Sequence, residues 1–328
     1  MTRLRQRRRD LGLTQGAVAR STGLSRQALS ALEAGRAAPS LANALALARA
    51  LGTSVEALFG GAPQDPANEA FSGVTPADGR VRWSRIDGQL VVRPAGPGEE
   101  IDALVRFESG VPRGLSPLAG AVDPERAVWI GGCDPALPLV ARAMERIAPH
   151  LSVQAVAMTT SEARAALGAG QIHAASLHGS PRPEHGAGPD TVLPYASWRE
   201  GFVLAGGVAR ADLGRGNLRW AVRPRGATAR SVLERYAPPA AAVSSGMVVA
   251  SHWAVAEAIR SGNADAGVAV EAAAAAFGLG FVALEEEEVE MVVHEAAPEV
   301  AHVLARALAD ARLWSRLAAL AGYRRAGA

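Results

Sequence analysis

The chain opens on five short stretches in which apolar positions recur three and four residues apart, about 2–11, 14–21, 25–33, 40–51 and 54–59, the spacing of an amphipathic helix face. Side-chain oxygens stand where these helices should begin, at Thr14, Ser25, Ser40 and Thr53 or Ser54, and glycines where they should stop, at Gly12, Gly23, Gly35 and Gly52. A hydroxyl at the N-cap accepts an otherwise unpaired N–H, and glycine takes the left-handed turn that ends a helix. Only "TGL" separates the second stretch from the third, so those two helices meet at a sharp corner. Over 61–79 the period fades into Gly, Pro and small polar residues, the composition of a linker.

From residue 80 the period changes to two. "RVRWSRIDGQLVVRP" (80–94) alternates on both sides of Asp87-Gly88, a hairpin signal. Over 95–126 the pattern selects no element apart from a helical spacing near 99–108. Short apolar runs then alternate with helical ones: strand 127–131, helix 135–148, strand 151–157, helix 160–169 and strand 172–177. Past the loop "SPRPEHGAGPD" come strands 201–205 and 218–222, helix 227–236, a strand near 247–249, helix 252–261, a strand near 265–270 and helix 271–277. Such alternation predicts parallel βαβ units, and two consecutive sets predict two lobes with a cleft between them. Returning strands and a C-terminal helix packed through Val300, Leu304, Leu308, Leu313 and Leu317 close the chain. The expected class is α + α/β: an all-helical domain over 1–60, a linker over 61–79 and a two-lobed α/β domain over 80–328.

Charge sharpens this division. Residues 1–60 carry nine arginines against three acids, a net +6, which leaves −4 for the remainder of a chain whose total is +2. A basic head on an acidic body points to a polyanion partner for the head alone. The chain has no lysine, so the position of its charge says more than the amount. The one cysteine, Cys133, excludes an internal disulfide framework and a cysteine-rich zinc site. The N-terminus lacks the apolar core of a signal peptide, and no apolar run is long enough to span a bilayer. A cytoplasmic protein with no membrane partner is expected. His173, His178 and His185 do not have metal-ligand spacing, and neither a metal nor a cofactor is predicted.

Within 14–35, Ala19, Gly23, Leu29 and Leu32 stand at the first, fifth, eleventh and fourteenth positions of a motif. It needs a small residue where two helices cross, a glycine at the turn and apolar residues where the second helix packs back. Residues 13–59 resemble the phage-repressor and Cro type of helix-turn-helix, the XRE family. The resemblance implies that the helix from Ser25 reads the major groove of double-stranded operator DNA through Arg26, Gln27 and Ser30, with Gln15 near a phosphate and Arg36 also at the DNA. Arg pairs with guanine and Gln with adenine in two-pronged fashion, and the Arg3 to Arg9 cluster would add phosphate attraction.

The segments "GGCDPALPLVARAM", "HAASLHG", "RPRGATARSVLERY" and "SHWAVAEAIRSGNADAGVAVEAAAAAFGLGFVAL" resemble a periplasmic-binding-protein-like domain found fused to DNA-binding heads and to molybdopterin-biosynthesis proteins. The similarity covers about 127–293. It implies a type II, two-lobed ligand sensor whose ligand is linked to molybdate, tungstate or molybdenum-cofactor metabolism. The sequence departs from relatives at Gly226-Ala227-Thr228-Ala229-Arg230, where Gly-Ser-Gly-Thr-Arg is common, and at Glu288-Val289, where an Arg-Tyr pair is.

In open α/β sheets ligands bind beyond the carboxyl ends of strands, where helix starts offer N–H groups to anions. Three such places converge: Cys133-Asp134 before Pro135; Thr159, Thr160 and Ser161; and Arg223 to Thr228, where Gly226 and Ala227 let backbone approach. Arg225 is a further cation there. His178, His252 and Asp265 complete the expected ligand set. Each has a plainer reading: Asp134, Thr159, Thr160 and Ser161 as helix caps, Arg223 and Arg230 as salt-bridge partners, Asp265 as a turn residue, and Glu285 to Glu288 as a solvated face. Cys133 is either a small packing residue beside the ligand or a nucleophile, and its sequence neighbourhood supplies Asp134 rather than a histidine. The expected function is a dimeric, ligand-responsive transcription regulator with no enzymatic activity. The alternatives are a ligand-free dimerisation or docking module behind the same head, and an enzyme built on Cys133.

Overall fold

The computed structural model describes residues 3–34, 36–53, 55–59, 70–179, 190–214, 217–236 and 246–326. Ser54, Gly35, residues 60–69 of the linker stretch, and His185 with most of its loop lie outside the described residues. The chain divides into two compact units, Met1–Glu69 and Ala70–Ala328.

The first unit consists of helices α1 (Arg3–Asp10), α2 (Gln15–Thr22), α3 (Arg26–Glu33), α4 (Leu41–Ala50) and α5 (Val55–Phe59). Thr14, Ser25 and Ser40 cap their helices, each accepting a main-chain N–H three residues on. Gly23, at φ 71°, turns the corner between α2 and α3. Leu4, Val18, Leu29, Leu47 and Leu51 fill the core, and Ala19 is buried with them.

The second unit begins with a small sheet of β1 (Phe71–Gly73), β2 (Arg80–Ile86), β3 (Gln89–Pro94), β4 (Ala103–Glu108) and β5 (Val111–Pro117), in the order β1-β3-β2-β4-β5. Two expectations are corrected here. Residues 71–73, read as linker, pair in parallel with β3. The stretch read as helical near 99–108 holds β4, where Ala103 and Val105 point inward and Leu104 and Arg106 outward, so the two-residue period prevails over a coincidental helical one. The buried Asp102, just before β4, holds to β2 by accepting from Arg82 Nε at 2.6 Å and from the Trp83 N–H at 3.1 Å.

The large sheet runs in the order β11 (Met247–Val248), β10 (Trp220–Val222), β12 (Ala266–Val270), β9 (Thr191–Leu204), β13 (Gly280–Val293), β8 (Ala174–His178), β6 (Ala127–Gly132) and β7 (Ser152–Ala157), with β14 (Arg324–Arg325) beside β9. In one lobe β6 (Ala127–Gly132) lies parallel to β7 (Ser152–Ala157) and β8 (Ala174–His178). Its helices are α6 (Leu137–Ile147), α7 (Thr160–Gly168), α11 (Pro298–Ala309) and α12 (Ala311–Leu317). The other lobe carries β10 (Trp220–Val222), β11 (Met247–Val248) and β12 (Ala266–Val270), with α8 (Thr228–Tyr236), α9 (His252–Arg260) and α10 (Glu271–Ala276).

Two 14-residue antiparallel strands, β9 (Thr191–Leu204) and β13 (Gly280–Val293), pass from one lobe to the other. Residues 191–196 of β9 face 289–293 of β13, and residues 201–204 face 280–283. Register shifts at Ala283/Glu285 and Val289/Glu290 bracket the crossing, where bulges add the twist that turns one lobe against the other. Gly201 is required at this crossing, because a Cβ there would lie 2.2 Å from the Val282 carbonyl oxygen. The sequence reading began this strand at 201. The structure extends it back to Thr191, because residues 191–200 pair with the 285–293 stretch of β13. Among the described residues no helix is long and apolar enough to cross a membrane.

Candidate functional site

On the head, Ser25, Arg26, Gln27 and Arg36 are exposed and Ser30 is half-buried. Arg26 and Gln27 occupy the first turn of α3. The Ser25 hydroxyl accepts the Ala28 N–H as the cap. Gln15, expected near a phosphate, instead donates from Nε2 to Glu33 at 2.9 Å. Arg8 donates to both Glu33 oxygens and to the Leu13 carbonyl, and Arg7 to the Leu51 and Gly52 carbonyls. Two members of the basic cluster are thus committed to holding the head together.

In the large unit the three expected helix starts do converge. At the end of β6, Gly132 presses so close to β8 that a Cβ would lie 2.8 Å from that of Ser176, and the chain turns into Cys133. Asp134 is buried, and its Oδ1 accepts from the Ala136 N–H at 2.7 Å and from the Tyr323 hydroxyl at 2.6 Å. Asp134 is not the cap of α6, whose N-cap position is Ala136 with no side-chain cap hydrogen bond; its carboxyl closes the turn before that helix, and burial pushes it above the usual range. Thr159 forms a capping box with Glu162 at the start of α7. The Thr160 hydroxyl lies 3.2 Å from that of Thr228, and the Ser161 N–H donates to the Gly226 carbonyl at 3.2 Å. These contacts join the first turn of a helix in one lobe to the Gly226–Thr228 turn of the other. Gly226 has φ +89°, where a Cβ would lie 3.1 Å from that of Ser161, and Ala227 is buried. Arg225 is exposed, and Arg230 pairs with Glu234.

Behind these turns lies a polar interior. Cys133 Sγ is 2.8 Å from Nε2 of His178, and Nδ1 of His178 is 3.8 Å from Glu287. Nδ1 of His252 is 3.8 Å from Glu200. The His178 ring meets Trp198 edge-on at 4.9 Å. Cys133, Arg223 and His252 line a cavity of about 300 Å³ together with Gly132, Met158 and Ser251. Arg223 is 2% exposed, yet among the described residues its Nε and Nη1 have no hydrogen-bond partner, and neither do the two carboxylate oxygens of Glu200 and the two ring nitrogens of His252.

Burial opposes a charged Cys133, but the positive charge and hydrogen bond of His178, with His252 assisting, outweigh it and bring the thiol down to about 5. Burial likewise opposes a charged His178, and Cys133 and Glu287 reverse that, so its basicity rises well above the ordinary value. Burial lowers His252 below the ordinary imidazole value and lifts Glu200 to about 7.

Asp265 does not belong to this site. It forms a two-pronged ion pair with Arg219 at 2.7 and 3.0 Å before the first residue of β12, the amino end of that strand, whereas the cleft lies at carboxyl ends. The Glu285–Glu288 run is also corrected: Glu287 is buried and Glu285 pairs with Arg235, while Glu286 and Glu288 are exposed. Glu200, Glu287, Ser176 and Trp198 had not been expected at the site. The signal available for Glu287 was the strand period, which sends alternate members of an acidic run inward. Among the described residues no group of three or more His, Cys, Asp or Glu could hold a metal ion.

Two lobes joined by a pair of long strands, with helix starts and unpartnered buried polar groups around the cleft between them, define a two-lobed binding domain, here on one chain with a helix-turn-helix. Residues 141–307 match the PBP superfamily domain, and residues 4–58 match the helix-turn-helix family. An uncharacterized HTH-type transcriptional regulator of Methanothermobacter thermautotrophicus is 48% identical over 59 residues, 18% of this chain and 86% of that protein. Reduced OxyR from N. meningitidis is 16% identical with a TM-score of 0.45, covering 61% of this chain and 99% of that one. A phosphate transport receptor from Vibrio cholerae is 10% identical with a TM-score of 0.43, covering 60% and 98%. The chain belongs to the PBP superfamily domain family and, through its head, to the HTH-type transcriptional regulators. It is a transcriptional regulator with a PBP-like ligand-binding domain.

Proposed function

We propose that this regulator binds operator DNA as a homodimer through Arg26 and Gln27 on α3, and that a small anion in the cleft controls that binding. Arg223 carries the reading. A buried guanidinium with two unpartnered N–H positions is costly unless something accepts them, and these line a cavity with the hydroxyl-bearing turns of Thr160 and Thr228 close by. A two-fold protein reads half-sites about 10 base pairs apart or a multiple of it. A ligand bridging the lobes changes how two heads are presented.

The resemblance suggests molybdate, tungstate or a molybdenum-cofactor compound. A dianionic oxyanion meets the carboxylates Glu200 and Glu287 in the same buried cluster, and that repulsion favours an organic acid with one anionic group. The test is a thermal-shift screen of the full chain with molybdate, tungstate, sulfate, phosphate, pterins and small monocarboxylates. A ligand at 100 times its Kd adds about 2.7 kcal/mol, and the shift should vanish in Arg223→Gln. Silence across the screen would favour the ligand-free docking module.

A further inference from the structure

We propose that Cys133 is a nucleophile, with His178 as its proton partner and Arg223 as its anion clamp, and that it captures a small unsaturated carboxylic acid as a covalent thioether in the cleft. The inference rests on the reading of the cleft as an anion site and deepens it by naming the chemistry of the ligand.

The geometry carries the argument. A thiol is activated by a base within hydrogen-bond reach that is itself oriented by a third group. Here Nε2 of His178 is 2.8 Å from Sγ, while Glu287 stands 3.8 Å from the other ring nitrogen, close enough for charge attraction but without a hydrogen bond. The Trp198 ring packs edge-on against the imidazole and fixes its plane. Cys133 retains partial solvent access and lines the same cavity as Arg223. The unpartnered Nε and Nη1 of Arg223 are a second, independent sign that an anionic group belongs beside the sulfur.

In the reaction Sγ forms a bond to the β-carbon of an α,β-unsaturated acid while the C=C π bond breaks. The electron pair moves to the α-carbon, which takes the proton that Cys133 gave to His178. The sum is addition of one thiol across one double bond, with no oxidant, reductant or leaving group. Two features favour this over oxidation of the sulfur. Cys133 is the chain's single cysteine, so no internal partner exists to form a disulfide, and a cavity of about 300 Å³ holds an organic acid with several carbons. The adduct is stoichiometric, as suits a sensor that does not turn over.

The experiment uses the full chain, whose single cysteine makes intact mass an unambiguous readout. Alkylation rates are measured from pH 5 to 9 with anionic iodoacetate and neutral iodoacetamide, and acrylate tests the addition itself. At pH 6 alkylation should exceed that of an ordinary thiol by at least about tenfold, since a thiol of pKa ~8.5 is scarcely ionised there. Iodoacetate should react faster than iodoacetamide, and acrylate should add its whole mass. Arg223→Gln should slow iodoacetate more than iodoacetamide and so erase the preference for iodoacetate, and His178→Asn should shift the pH profile toward that of an ordinary thiol. An ordinary thiol profile in the wild-type chain, a preference for the neutral probe or absence of an acrylate adduct overturns the proposal without recourse to any variant. If saturated monocarboxylates shift the melting temperature while alkylation is ordinary, the cleft reading stands and covalent capture falls. If no anion shifts it and the iodoacetate preference is absent, both fall.

Discussion

Nδ1 of His173 accepts the main-chain N–H of Trp129 at 3.1 Å, a bond that exists only while the imidazole is neutral. Burial keeps it so, lowering the histidine from 6.5 to about 4. A group whose folded pKa is depressed contributes stability that is complete above its unfolded value and is lost as pH falls toward the folded one. The large unit should therefore weaken from about pH 6.5 down to 4, by on the order of 3 kcal/mol from this residue. In His173→Asn the amide oxygen can accept the same N–H, and denaturant titrations of the two proteins should differ in slope over this window. Parallel curves would show that His173 does not titrate there.

Glu33 ties the head together. It receives Arg8 and Gln15, and although burial would lift its carboxyl, those two partners bring it below the ordinary value. Glu33→Ala should destabilise the head by about 2–3 kcal/mol, the scale of lost hydrogen bonds to a charged group. Wild-type head stability should fall as pH drops through the carboxylate range, and the variant should lack that component. Circular dichroism melts at pH 7 and pH 4 measure both. Replacing Arg8 and Glu33 together by apolar residues should cost less than either single change, because no buried charge is then stranded.

The legibility of this molecule follows the range of its interactions. Helix caps and the Gly23 corner are local, and Thr14, Ser25 and Ser40 act as their positions suggested. The cleft's rim was legible for the same reason, since helix starts at Cys133, Thr160 and Thr228 are properties of short segments. Its floor was not. His178 reaches Cys133 across 45 positions, and the histidine that a search of Cys133's own neighbourhood fails to find arrives on a different strand. Glu200 and Glu287 come together only because β9 and β13 cross between lobes, and in the sequence Glu287 is one member of a run that reads as a solvated face. Asp265 errs the other way: it falls in one of the segments that resemble the binding-protein-like domain, but at the wrong end of its strand.

On the head, exposure separates two kinds of contact. Arg26 and Gln27, on the first turn of α3, should read bases, so Arg26→Ala should cost about 1–3 kcal/mol on the preferred sequence and relax specificity at one base pair. Arg36 lies beyond α3, and Arg36→Ala should weaken all sequences alike and lower the salt slope by about one. Selection from a random DNA pool, followed by fluorescence anisotropy at several salt concentrations, measures both. If Arg36→Ala changed the preferred sequence, the assignment of roles would have to be reversed.

Glu200 tests what the polar floor is for. Both its oxygens are buried without partners among the described residues, and burial lifts it to about 7 against an ordinary 4.5. For a carboxyl raised in this way, the associated stability is complete below the unfolded value and is lost as pH rises through the folded one. The ligand-free protein should therefore lose on the order of 3 kcal/mol from this residue between about pH 4.5 and 7. Near-isosteric Glu200→Gln removes the charge while keeping an acceptor, so it should be more stable than wild type at pH 8 and indistinguishable from it at pH 4.5. A residue held at such a cost is explained if the cleft's occupant donates a hydrogen bond to it. Ligand should then raise the melting temperature of wild type more than that of Glu200→Gln. Equal ligand-induced shifts in the two proteins would separate the carboxylate from ligand recognition and leave Arg223 and the helix starts to account for it.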